Sequence, residues 1–183
     1  MPPAGKRLSF FLQRLALVFV LAIGTLLSGC FGSDKPMFAP ETAARALEPG
    51  RYGLFEQYGD QTKPSEYMEV RQNGSIYDFV NEKGAANPVS FHPIAGGLYV
   101  AQVGGMPQRN SDKKGYGYAL FRIDGREALV YVVECDKQDK AMLAASRVEI
   151  RDQYECFIDS VANPAAFFAS LKRSDPPSRM VRE

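Results

Sequence analysis

The chain has 183 residues, enough for one domain built around one core. Its 22 lysines and arginines nearly balance 21 acids, leaving +1, which excludes the clustered basic face of a nucleic-acid binder. There is no tryptophan and one histidine, His92, so any triad or metal centre that needs imidazole has one residue to draw on.

The chain opens with Lys6 and Arg7, then Arg14, then an unbroken low-polarity run from Leu15 to Leu27, closed by Ser28-Gly29-Cys30. A positive n-region, an apolar h-region and a small-residue site are the three parts of an export signal. The run falls short of the ~20 apolar residues of a spanning helix. Leu27 also stands where an ordinary signal peptidase takes a small residue. Leu27-Ser28-Gly29-Cys30 resembles the lipobox of bacterial lipoproteins. The resemblance implies that Cys30 receives a diacylglyceryl group on sulfur, that a dedicated peptidase removes residues 1–29, and that the freed amine is acylated. Each buried acyl methylene contributes about 0.8 kcal/mol and two lipid signals give stable anchoring, so a membrane becomes the implied partner. In enterobacterial lipoproteins an Asp after the cysteine favours the inner membrane. Phe31 stands there instead, which implies the outer membrane, facing the periplasm.

With Lys6, Arg7 and Arg14 set aside, the mature chain carries 19 bases against 21 acids, a net of −2. Once Cys30 is given to lipid, Cys135 and Cys156 remain as a pair, and an even count in an oxidising compartment reads as a disulfide. A loop of that size is worth about 3 kcal/mol in the chain-entropy model. A metal site would need His92 and a carboxylate, and there is no C-x-x-C, so neither metal nor cofactor is expected.

Composition divides the mature chain into a tether over 30–46, one β-rich domain over 47–173 and a disordered tail over 174–183. Within the tether, Glu41 to Leu47 suits one short helical turn before Pro49-Gly50. A first strand begins at Arg51 and runs toward Tyr58. Asn73-Gly74 is the strongest hairpin signal. With those two residues as the turn, Val70 pairs with Tyr77 and Met68 with Phe79, burying one face and leaving Glu69, Arg71 and Asp78 on the other. Val89 to Ile94 and Leu98 to Val103 form a second pair around Ala95-Gly96-Gly97, with Pro93 marking an edge or a bulge. Gly104 to Gly115 reads as a polar loop. Tyr116 to Ile123 and Arg126 to Cys135 turn at Asp124-Gly125. Both faces of that pair are apolar, which predicts cover on each side. A short helix is predicted within Lys137 to Ala145, a strand over Arg147 to Arg151, and a helix after Asn163-Pro164, with Asn as N-cap and Pro at the first position. The expected fold is an antiparallel meander or small open barrel of about seven or eight strands with a C-terminal helix.

No catalytic constellation stands out. His92 lies between Phe91 and Pro93 without a G-x-S-x-G elbow, and the acids Glu134, Asp136 and Asp139 lack calcium-loop spacing, which leaves Asp139 free to serve a helix N-terminus. Tyr99, Tyr116, Tyr118 and Tyr131 offer a shared surface or cavity wall suited to a ligand or an envelope protein. The expectation is therefore a lipid-anchored envelope protein with a non-catalytic binding or structural role. Two alternatives are a β-calyx carrying an apolar ligand and a protein inhibitor. The second is similar in size and anchoring to the lipoproteins that block lysozyme, but lacks their cysteine placement.

Overall fold

The computed structural model describes residues 31–56, 62–107, 113–151, 155–174 and 176–183. The motif from Leu27 to Cys30 lies outside the described residues, as do the end of the predicted first strand and the centre of the predicted polar loop. The strands are β1 (Phe31–Ser33), β2 (Gly50–Phe55), β3 (Glu66–Asn73), β4 (Ile76–Asn81), β5 (Ala86–Ile94), β6 (Leu98–Pro107), β7 (Lys114–Asp124), β8 (Glu127–Tyr131), β9 (Val148–Ile150), β10 (Cys156–Ile158) and β11 (Ser178–Arg182). Two short helices, α1 (Lys140–Ala145) and α2 (Pro164–Ser170), complete the list.

Strands β2 to β8 run up and down as an antiparallel meander, and β11 joins β8 to β2, so eight strands close into a barrel. The expected open barrel is thus closed, and the stretch expected to be a disordered tail supplies the closing strand. Closure removes both sheet edges. Eight strands leave an interior that side chains can fill or that can hold one small ligand. Tyr52, Val70, Tyr77, Phe79, Phe91 and Phe121 all lie inside with no more than 1% of their surface exposed. Phe91 sits at their centre, with the rings of Tyr77 and Phe121 at 5.5 and 5.3 Å, both edge-on. The apolar set faces inward, the reverse of the lipid-facing band of a membrane-spanning barrel.

All three predicted hairpins form; in the two with two-residue turns each strand pairing is displaced by two residues and the turn by one. Asn73 pairs with Ile76 and Asp124 with Glu127, so the turns are Gly74-Ser75 and Gly125-Arg126. In each turn the glycine alone has positive φ, 66° and 58°, which is the type II′ pattern with glycine at the first central position. Arg71 therefore faces Asp78 directly. The core faces are unchanged, because a shift of two keeps every side chain on its side. Pro93 lies where β5 has outrun β4 and pairs with β6 alone, so its missing N–H breaks no ladder. Strands β6 and β7 run on to Pro107 and from Lys114, taking up both ends of the predicted loop.

Between β8 and β11 the chain leaves the barrel. The excursion carries α1, β9, β10 and α2, and it packs a second core onto the outer wall over Val100, Tyr118 and Leu120. This explains the two apolar faces of the β7–β8 pair. Asp139 caps α1, its carboxylate accepting from Ala141 and Met142 N–H at 2.8 and 3.0 Å, which holds its pKa below the usual range. Asn163 caps α2 through Ala166 N–H, and Phe167 and Phe168 are the helix's buried face. Helix α2 lies inside the excursion rather than at the chain terminus. Cys135 and Cys156 are bonded, their Cα atoms 5.6 Å apart, and both are buried.

Candidate functional site

The stretch expected to be a tether is instead a strap that crosses the outer wall and plugs the barrel. Strand β1 lies antiparallel on the Tyr116–Tyr118 part of β7 and parallel to β10. Phe31 is 1% exposed, and the rings of Phe167 and Phe168 meet it edge-on at 5.9 and 6.4 Å. One helical turn occurs, at Pro40–Thr42, earlier than the predicted one. Ala44 N–H then donates to Phe91 O at 2.8 Å, taking the edge of β5 that β4 leaves open. At the barrel end Leu47 joins the interior core. Its N–H donates to Tyr77 Oη at 3.1 Å, and that hydroxyl donates to Leu47 O at 2.9 Å.

Between these anchors three polar side chains of the barrel hold the strap. Gln102 accepts with Oε1 from Met37 and Phe38 N–H at 2.9 and 3.1 Å, and its Nε2 donates back to Phe38 O at 3.3 Å. Tyr118 Oη lies 2.7 Å from Ser33 Oγ and accepts from Met37 N–H at 3.1 Å. Ser33 spends its own proton on Lys35 O at 2.6 Å, so the phenol is the donor of that pair. Burial pushes Tyr118 up to about 12, and its hydrogen bonds with Ser33 and with the Met37 backbone offset part of that shift. The phenol therefore stays neutral and able to donate.

His92 is the third. It is 1% exposed and stacks on Phe38 at 4.7 Å with 17° between the planes. Thr42 Oγ1 donates to Ala39 O at 2.8 Å, so in its 2.8 Å contact with His92 Nδ1 it accepts. That places the ring proton on Nδ1 and leaves Nε2 to accept from Ser90 Oγ at 2.9 Å. A hydroxyl on Nε2 with Nδ1–H held behind it is the geometry of an activated nucleophile. However, burial disfavours the imidazolium that taking Ser90's proton would create, and lowers the ring to about 4, only partly opposed by a hydrogen bond with the Thr42 backbone. The arrangement fastens the strap.

This burial has a pH consequence. The unfolded imidazole protonates near 6.5 and the folded one near 4, so between those values the unfolded chain binds more protons and stability drops as the pH is lowered. The stability is intact above pH 6.5 and loses at most about 3 kcal/mol by pH 4. His92 is the only histidine, so a His92→Gln variant should flatten this part of a plot of urea midpoint against pH. A wild-type midpoint that stays level from pH 6.5 to 4.5 would contradict a buried neutral ring.

The four tyrosines do not share one surface. Tyr116, Tyr118 and Tyr131 pack in the outer-wall core, whereas Tyr99 packs against the barrel interior beside Phe91 and pairs with Phe121. Tyr118 is buried and occupied by the strap, and the hairpin tyrosines line no interior cavity. The sequence reading did not single out Gln102, Thr42 or Ser33. Gln102 carried a signal: it is the one polar residue in the apolar run from Leu98 to Val103. Among the described residues there is no group of three His, Cys, Asp or Glu able to hold a metal, and no helix long and apolar enough to cross a membrane. Every buried side-chain nitrogen or oxygen among them has a hydrogen-bond partner. Fold and site together define a filled, strap-sealed, eight-stranded antiparallel barrel with a disulfide-closed excursion on its flank. The chain matches no protein-family model, no curated protein and no solved structure in these comparisons.

Proposed function

We propose that this protein is a lipid-anchored component of a bacterial cell envelope, acting through binding or structural support rather than catalysis. The observation that carries the reading is the sequence Leu27-Ser28-Gly29-Cys30 directly before Phe31, a buried residue of β1. Cleavage before Cys30 would leave the folded domain whole and place its first residue on lipid. The non-catalytic part of the reading is supported by the use of the sole imidazole as a fastener. The side-chain-filled interior counts against a calyx that carries an apolar ligand.

The test is the mature N-terminus. The full chain, expressed in a Gram-negative host and analysed by mass spectrometry, should begin at Cys30 carrying diacylglycerol and an amide-linked acyl chain. It should fractionate with the outer membrane. A bare thiol at Cys30, or cleavage elsewhere, would overturn the proposal.

A further inference from the structure

We infer that the outer wall formed by β8, β11 and β2 lies flat against the lipid headgroups of the membrane that holds the anchor. This inference rests on the lipid-anchored reading and adds to it an orientation and a contact surface. A free tether over residues 30–46 would give the domain a span of roughly 20 Å to wander. The strap removes that slack. Phe31 is locked into the sheet, and a trans peptide sets the Cα of residue 30 about 3.8 Å from its own. Acyl chains on Cys30 would leave the domain at its wall, beside the point where β8 and β1 share the edge of β7: Tyr131 pairs with Leu120, and Phe31 pairs with Tyr118.

The wall next to that exit has interfacial chemistry. Three exposed arginines lie over three half-buried aromatic rings, one each on β8, on β2 and on the neighbouring β3. Arg173 is 5.4 Å from the centre of Tyr131, Arg179 is 5.4 Å from that of Phe55, and Arg51 is 4.0 Å from that of Tyr67. Leu129 stands opposite Arg179, which stands opposite Phe55, so one row runs from β8 across β11 to β2. Aromatic rings favour the headgroup level, and each arginine there attracts anionic lipid. Two acids of this wall, Glu127 against Arg179 at 2.7 Å and Glu183 against Arg51 at 3.3 Å, form exposed ion pairs. Such pairs are weak enough for lipid phosphate to compete with them.

The chain has no tryptophan, so a single introduced one reports its own depth. The lipidated full-length protein would be placed in vesicles of phosphatidylcholine and phosphatidylglycerol brominated on their acyl chains near the headgroup. Tyr131→Trp and Phe55→Trp read the wall. Ile76→Trp is the control, since Ile76 is exposed on β4, four strands from β8 in either direction around the barrel. Acylated protein with both wall tryptophans quenched and the control unquenched supports the inference. Acylated protein with no quenching, or with equal quenching at all three sites, overturns it while leaving the anchor intact. Protein without acyl groups on Cys30 overturns the anchor and the docking together, and mass spectrometry of the same sample tells these cases apart.

Discussion

Ending the chain at Pro177, so that β11 is lost, is expected to abolish cooperative folding. Strand β11 pairs along both sides, Arg179 to Arg182 with β2 and Ser178 to Val181 with β8. Its loss opens the barrel into a sheet with two bare edges. Met180, 3% exposed, reaches the core beside Leu54 and Ala128. Truncating such a methionine alone costs about 2–5 kcal/mol, and each lost ladder bond adds about 0.5–1.5 kcal/mol. Together these approach the whole stability of a small domain, about 5–15 kcal/mol. The contact of Arg182 with Glu48, and the bond from Glu183 N–H to Arg51 O at 3.0 Å, also go. Circular dichroism across a urea titration reads the outcome. Met180→Ala should shift the midpoint down, and the truncated chain should show no sigmoidal transition. A truncated chain that unfolds at the wild-type midpoint would mean that β11 is not part of the barrel.

The second large effect concerns the disulfide. Replacing Cys135 and Cys156 together by alanine is expected to cost about 3 kcal/mol, from the loop of 21 residues that the bond closes. For a chain of this size that lowers Tm by roughly 10 °C, at about 2–4 °C per kcal/mol. Alanine leaves no hydroxyl in the apolar pocket that both sulfurs occupy. The loss should also be local. Cys156 is the partner of Phe31 and Ile150 in the sheet, so loosening β10 loosens β1 and β9 with it. Hydrogen exchange should quicken in β1, β9 and β10 while amides of the barrel strands β3 and β4 keep their protection. Equal loss of protection everywhere would show that the excursion and the barrel unfold as one unit.

Much of the barrel was legible because strands and caps are written locally. Alternation with period two placed Val70, Tyr77 and Phe79 inside, and the caps Asp139 and Asn163 sit where their side chains meet free N–H groups. The displaced turns mark where that signal stops. Asn73-Gly74 suggests two residues at positive φ, whereas only the glycine adopts it, and a shift of two residues leaves the hydrophobic pattern the same. The segments misread as tether and tail share a different cause. Each is rich in proline and polar residues and carries only a few buried side chains: Phe31 and Ser33 in one, Ser178 and Met180 in the other. Those few become decisive only against strands far away in the chain.

Read alone, the chain specified the run of antiparallel hairpins and the start of both helices, because each depends on spacing within a short segment, and cysteine arithmetic pointed to the pairing of Cys135 with Cys156. The tertiary structure decided that the barrel closes, that large buried side chains line its interior, that the tyrosines divide between two cores and that residues 31–47 are bound to the wall. Those outcomes depend on contacts such as Met180 with Leu54 and Tyr118 with Ser33. Their energy comes from burying surfaces more than eighty residues apart, which no local pattern encodes.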